Sequence, residues 1–196
     1  MARELGARNV TAFPFQSGGV YGTAIPLKNC VAINVKNNYD EKEYYSDGGI
    51  ENSISTLKSA DVELEMSSNM PLSTLGKITA LNYEYGKLTT GTSSDAPRIA
   101  LAYEIIMDDD TTRRRVLYNV TLRKEESNNE TESDGETFVL NGKAVPIEYG
   151  NKRYVDLTMG ETDIESMEEN EEKTKIKAEY DKFFTKVIFP GAPAEV

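Results

Sequence analysis

The stretch from Pro97 to Lys124, PRIALAYEIIMDDDTTRRRVLYNVTLRK, decides how this chain folds. In its first half Ile99, Leu101, Tyr103, Ile105 and Met107 alternate with Ala100, Ala102, Glu104 and Ile106. In its second half Val116, Tyr118, Val120 and Leu122 alternate with Leu117, Asn119, Thr121 and Arg123. A period of two, filled with β-branched and aromatic residues, predicts two strands. The charged break DDDTTRRR between them supplies the turn, so the pair reads as a hairpin.

The flanking sequence extends this mainly-β pattern. Upstream, residues 1–8 read as a flexible arm, and Asn9 to Phe15 as an edge strand, since Pro14 cannot donate to a ladder. Ser17-Gly18-Gly19 reads as a turn, Tyr21 to Pro26 as a lead-in, and Asn29 to Asn37 as a half-buried strand with Val31, Ile33 and Val35 on one parity. The polar stretch Asn38 to Lys58 has weak periodicity and reads as a long loop. Alternation returns from Asp61 to Ser67 through Val62, Leu64 and Met66. Pro71 to Lys77 is expected to form a short helix that Gly76 stops. Ile78 to Leu88 alternates loosely, and Thr89 to Asp95 is a loop.

Downstream, Glu125 to Gly135 has the composition of a loop or hairpin tip. Thr137 to Val145 and Lys152 to Met159 read as strands, with Asn141-Gly142 as a turn signal. Thr162-Asp163-Ile164-Glu165 fits a capping box and predicts a helix through Lys182, with Ile176, Tyr180, Phe183 and Phe184 as its apolar stripe. Pro190 ends the pattern, and Lys182 and Lys186 complement the dipole near the helix end. No internal repeat is visible. The whole of residues 1–196 is expected to be one domain, with a C-terminal helical extension over residues 160–196.

Composition narrows the function. The chain is 38% hydrophobic and 28% charged, lean for a monomer with so much sheet. A formal net charge of -11 argues against DNA as an attractive ligand, because phosphate binding needs clustered Lys and Arg. Histidine is absent, and with it the commonest general base and metal ligand. Cys30 is the sole cysteine, so no intramolecular disulfide forms. The start MARELGARNV lacks the apolar run of a signal peptide and no segment is long enough to span a bilayer, so folding in a reducing cytoplasm is expected.

Few motifs carry chemistry. Ser55-Thr56-Leu57-Lys58 matches the S-x-x-K of serine–lysine acyl enzymes, but no S-D-N or K-T-G accompanies it. Asp108-Asp109-Asp110 offers oxygens for a hard cation, yet lacks the glycine and distal glutamate of a calcium loop, and Arg113 to Arg115 compete as counter-ions. Gly18-Gly19-Val20-Tyr21-Gly22 is neither a dinucleotide nor a phosphate loop. Asn9-Val10-Thr11, Asn119-Val120-Thr121 and Asn129-Glu130-Thr131 match the glycosylation pattern by chance. Glu165 to Glu172 reads as a solvated helix face. The expectation is therefore no catalytic residue, no metal site and no cofactor.

Several short motifs, in order, resemble the major tail proteins of long, non-contractile-tailed bacteriophages of Gram-positive hosts. Gly22-Thr23-Ala24-Ile25-Pro26 is similar to that family's "YGTP…IP" element, Tyr44-Tyr45-Ser46-Asp47 to its aromatic-small-Asp loop, and Asp61-Val62-Glu63-Leu64 to its "GxLE" strand. Leu75-Gly76 is like its "LG" helix end. Ile99-Ala100-Leu101-Ala102-Tyr103-Glu104 and Val116-Leu117-Tyr118-Asn119-Val120 resemble its "ALxFE" and "VLYN" strands. Tyr180-Asp181-Lys182-Phe183-Phe184 resembles its C-terminal "YxxWF" helix. The chain departs from the family in having no tryptophan, with Phe183 in its place, and in the acidic segment Gly160 to Glu172.

That resemblance implies a tail-tube β-sandwich or barrel with a short flanking helix, long loops and a C-terminal helix. It also implies a virion protein of the tail, assembled in the host cytoplasm into stacked hexameric rings that conduct the genome during ejection. Its partners would be copies of itself, a tape measure protein inside the tube, and terminator and distal tail proteins at the ends, with DNA only in passive transit and no membrane contact. Exposed strand edges would pair across subunits, and apolar residues on both parities of the central strands would be covered in the assembly. The loops Asn38 to Lys58 and Glu125 to Gly135 would order against neighbours, and an acidic lumen would keep DNA from adhering. Alternatives are a terminator or baseplate-proximal ring protein of the same fold, a β-scaffold hydrolase using Ser55 and Lys58 or the Asp108 cluster, and a secreted adhesin, which the missing export signal disfavours.

Overall fold

The expected central hairpin is present in the computed structural model, which describes residues 3–16, 20–46, 49–67, 69–91, 96–124 and 137–191. Along the chain the strands are β1 (Glu4–Pro14), β2 (Ile25–Pro26), β3 (Cys30–Ser46), β4 (Gly49–Ser67), β5 (Asn82–Glu84) and β6 (Lys87–Thr89). They continue with β7 (Arg98–Met107), β8 (Thr112–Lys124), β9 (Thr137–Ala144), β10 (Ile147–Tyr149), β11 (Lys152–Tyr154) and β12 (Asp156–Gly160). The helices are α1 (Leu72–Ile78), α2 (Glu161–Glu165) and α3 (Glu171–Asp181). The protein is mainly β. Its large antiparallel sheet runs β2-β1-β7-β8-β9-β4-β3, with β12 also on β8.

Both faces of the β7–β8 hairpin are buried, and by the chain itself. Ile99, Leu101, Tyr103, Leu117, Val120 and Leu122 enter a first core with Val62, Leu64, Leu140 and the α1 residues Leu75 and Ile78. Ala100, Ala102, Val116 and Tyr118 face a second core with Phe13, Phe183 and Ile188. The expectation that both faces are covered in the assembly is corrected here: the chain itself buries both, the second chiefly with residues after β9.

The expected parity of β8 is also corrected. Val116 and Tyr118 point to the second core, whereas Val120 and Leu122 point to the first. Asn119, at φ 47, lies in a bulge: Ile99 faces Val120, but Leu101 already faces Leu117. One extra residue inverts which face each later side chain takes. Asparagine tolerates that left-handed backbone better than most residues. The bulge also divides the edge of β8. Arg113 to Leu117 pair with β12, and Val120 to Lys124 pair with β9. The sheet thus opens around the first core, and β1 and β3 approach each other without forming a ladder among the described residues.

Other differences follow from packing. Residues 4–8, expected within a flexible arm, pair with β7 from Glu4↔Met107 onward. Gly76 does not stop α1; it lies inside the helix, where a Cβ would fall 2.6 Å from Cβ of Tyr83. Asn141-Gly142 is no turn but part of β9. The C-terminal helix breaks in two, α2 without a side-chain cap and α3 capped by Asn170, whose side chain accepts from the Lys173 N–H. Lys182 is the C-cap of α3, and no basic residue lies in its last turn. Ser17-Gly18-Gly19, Glu125 to Gly135 and part of Thr89 to Asp95 lie outside the described residues.

A Cβ at Gly142 would sit 2.3 Å from the Thr121 carbonyl oxygen, whereas Gly6 has nothing within 4 Å of its Cβ position. Gly142→Ala is therefore expected to lose about 1–3 kcal/mol, and Gly6→Ala to stay within about 0.5 kcal/mol of the parent. Denaturant unfolding of the two variants checks this, and equal midpoints would contradict the register of β8 and β9.

Candidate functional site

The stretch expected as a long loop, Asn38 to Lys58, is a two-stranded ribbon. β3 and β4 pair through Ser46↔Gly49, with a bulge where Asn38 and Tyr39 face Ser59 and Leu57. β4 pairs with β9 only as far as Ala60↔Ala144, so beyond that point the two strands have only each other among the described residues. Tyr39, Glu41, Lys42, Glu43, Ser53, Ile54 and Ser55 are exposed. Where exposed side chains at 41–43 and 53–56 point to both faces, no hydrophobic alternation is required, which is why the sequence carried no strand signal there. At about 3.3 Å per residue the ribbon reaches roughly 30 Å past the sheet. A hairpin alone in water is marginally stable at best.

A second open feature lies along β1. β7 pairs with one side of β1; on the other, β2 pairs with Thr11 and Ala12, the Leu27 N–H bonds the Val10 carbonyl and the Gly22 N–H the Pro14 carbonyl, so among the described residues the part of that edge without a strand partner is residues 4–9. Beside the uncovered edge run two clefts. One is bounded by Glu4 to Ala7, Cys30 to Val35, Tyr103, Ile105 and Arg115. The other involves Ala7 to Thr11, Leu27 to Cys30 and Phe184. Leu5 and Val31 stay 69% and 58% exposed at the rim, unusual for aliphatic side chains on strands. Cys30 donates its thiol to the Ala32 carbonyl at 3.4 Å, and burial pushes that thiol up to about 11. It is a poor nucleophile.

A polar network fastens the C-terminal segment to the sheet. Glu104 is 3% exposed; its Oε2 accepts from Arg8 Nε at 2.5 Å and Asn9 Nδ2 at 3.0 Å, and its Oε1 from Arg114 Nε at 3.1 Å. Arg114 also donates to the Tyr180 carbonyl and lies over the Tyr180 ring, 4.0 Å from its centroid. Tyr180 Oη donates to the Thr112 carbonyl at 3.1 Å, and Glu161 Oε2 accepts from the Thr112 N–H at 2.9 Å. Burial pushes the Glu104 carboxyl up, but hydrogen bonds and charge from Arg8 and Arg114 outweigh it and hold the group below its ordinary value. Farther along, Tyr118 Oη donates to the Ile188 carbonyl at 2.6 Å, and Phe189 stacks between Tyr118 and Tyr149. Burial raises the Tyr118 phenol.

The residues singled out from the sequence are scattered. Ser55 lies on the exposed ribbon opposite Glu41, and Lys58 pairs with Asp40 at 3.0 Å. Asp108 to Asp110 form the β7–β8 turn, where Asp109 Oδ1 accepts from the Thr111 hydroxyl at 2.6 Å and backbone at 3.2 Å. Among the described residues no group of three acidic, cysteine or histidine side chains is placed to hold a metal ion. Asn9 and Asn119 both occupy left-handed positions at strand irregularities. Within Glu165 to Glu172, Glu169 accepts from Lys173 Nζ at 2.5 Å. The Glu104 network had no sequence signal beyond a charged residue at an inward strand position.

No family model matches the chain, and no curated protein sequence matches it. Among solved structures, the chain is similar to one described as "Cryo-EM structure of the anti-feeding prophage (AFP) baseplate, 6-fold symmetrised", with 6% identity and a TM-score of 0.41. The match covers 82% of this chain and 98% of that one.

Glu104→Gln leaves Arg8 and Arg114 without their counter-charge and is expected to cost about 3 kcal/mol near neutral pH. Because the folded-state value is lowered, this stabilisation is complete above the unfolded carboxylate range and is lost as pH falls through the lowered value. Unfolding free energies of parent and variant should therefore converge in acid. A gap that persists unchanged there would contradict the assignment.

Proposed function

We propose that this chain is a non-enzymatic virion protein, a tail-tube subunit that assembles with copies of itself. The observation that carries the reading is the β3–β4 ribbon, whose side chains at 41–43 and 53–56 are exposed and whose strands beyond Ala60 pair only with each other among the described residues. Such a ribbon is marginal alone and gains its order from a neighbour. The free edge of β1 offers a second place where copies pair. The ordered sequence motifs shared with phage major tail proteins supply the rest: hexameric rings stacked into a tube, a tape measure protein inside, terminator and distal tail proteins at the ends, and DNA in passive transit. Under this reading the protein assembles in the host cytoplasm and resides in the virion tail. The acidic balance of the chain favours a conduit over a nucleic-acid binder.

Negative-stain microscopy of concentrated protein is expected to show long tubes. Replacing residues 41–56 with a short turn should shift Tm by less than about 3 °C and abolish the tubes. Single rings that never stack would favour a terminator or baseplate-proximal role. A chain that stays monomeric at every concentration and is missing from phage particles would overturn the proposal.

A further inference from the structure

We infer that residues 180–190 form a detachable strap, which lifts from the sheet as one unit while the strands beneath stay paired, and which opens the second core when it lifts. The segment joins no strand ladder among the described residues. Its backbone bonds are internal: the Phe183 N–H donates to the Tyr180 carbonyl at 3.2 Å, and the Thr185 and Lys186 N–H groups donate to the Lys182 carbonyl at 2.9 and 3.2 Å. Lifting it therefore breaks none of the main-chain bonds that hold the sheet together.

Side chains hold the strap at two places. At its near end Arg114 donates to the Tyr180 carbonyl, and the Tyr180 hydroxyl lies 2.6 Å from Thr112 Oγ1. At its far end Tyr118 Oη donates to the Ile188 carbonyl at 2.6 Å. There the Phe189 ring lies 6.0 Å from the ring of Tyr118 and 5.1 Å from that of Tyr149, nearly parallel to both. Phe183, 1% exposed, enters the second core between these anchors. Arg114 and Tyr118 are four residues apart on β8, roughly 13 Å. The turn at residues 182–186 is closed by its own hydrogen bonds and links the two anchors, so loosening one loosens the other.

The parts on either side stay in place when the strap lifts. Below it, β8 keeps its pairing with β7 and with β12. Before it, Lys173 Nζ donates to the Glu165 and Met167 carbonyls at 3.0 and 3.1 Å, which fixes the corner between α2 and α3 and keeps the lifted strap beside its seat. The cost of opening is the burial of Phe183, Ile188 and Phe189 and a few hydrogen bonds. Global unfolding loses the whole first core as well, so the strap opens first. The fold thus carries an apolar sheet face that its own C-terminal segment can cover and uncover.

Thiol labelling of the dilute full chain separates strap opening from global unfolding, and it does not depend on self-assembly. On a Cys30→Ser background, Ile188→Cys reports the strap and Val62→Cys, 2% exposed in the first core, reports the sheet. Val187→Cys, half-buried on the same segment, serves if Ile188→Cys does not fold. The strap thiol should react at least about tenfold faster than the core thiol. Gly142→Ala, which weakens the first core, should speed the core thiol by about tenfold and leave the strap thiol unchanged. Tyr180→Phe, which releases only the near anchor, should speed the strap thiol at the far end by about tenfold. Equal acceleration of both thiols by Gly142→Ala would mean that the strap opens only when the whole chain unfolds. No response of the strap thiol to Tyr180→Phe would mean that its two ends loosen separately. Either result would overturn the inference and leave the tail-tube reading untouched.

Discussion

The structure depends on one hairpin that buries both of its faces at once. β7 and β8 contribute Ile99, Leu101, Leu117, Val120 and Leu122 to one core and Ala100, Ala102, Val116 and Tyr118 to the other. A regular strand pair could carry two apolar faces, but it could not change partners along one edge. The extra residue at Asn119 permits that change. Before the bulge β8 holds β12, and after it β9, so the C-terminal segment is laid across the outer face while β9 and β4 close the inner one. The sign of each later side chain in β8 follows from that single insertion.

The buried polar groups make this arrangement specific. Glu104 sits on β7 among apolar neighbours, and its two oxygens bind Arg8 and Asn9 from β1 and Arg114 from β8. Arg114 in turn holds the Tyr180 carbonyl and ring from α3. One carboxylate thus ties three strands and the C-terminal helix in a single register. Only the intended pairing satisfies all of these donors, because a misplaced strand would leave charge unpaired in the core. At the sheet margins, the ribbon of β3 and β4 and residues 4–9 of the β1 edge have no further strand beside them among the described residues.

The legible parts of the sequence were those with at least one buried face. β7, β8, the start of β3, the end of β4 and α1 all carry periodicity close to the observed elements. The ribbon failed to show itself because side chains exposed at 41–43 and 53–56 need no alternation, and its pairing is a backbone matter. Asn119 and Asn9 sit inside apparently regular alternation, so the parity change is visible only once Leu101 is seen opposite Leu117. Gly142 and Gly76 resembled turn and stop signals, yet each is small because another chain segment passes close by. The capping box at Thr162 lost to Asn170, whose side chain reaches the Lys173 N–H. As for the site, the absence of histidine and the isolation of Ser55 and Asp108 to Asp110 were readable, whereas the groove beside β1 required the approach of β3.

The central claim is that the β7–β8 core is complete within one chain while the ribbon is completed only by a neighbour. Amide hydrogen exchange, followed first on dilute protein and then on concentrated, assembled protein, addresses it directly. The account predicts that amides of β7 and β8 exchange only through global unfolding in both samples, whereas residues 39–46 and 49–57 exchange rapidly when dilute and become protected on assembly. Equal, strong protection of the ribbon in the dilute protein, or unchanged rapid exchange after assembly, would contradict it.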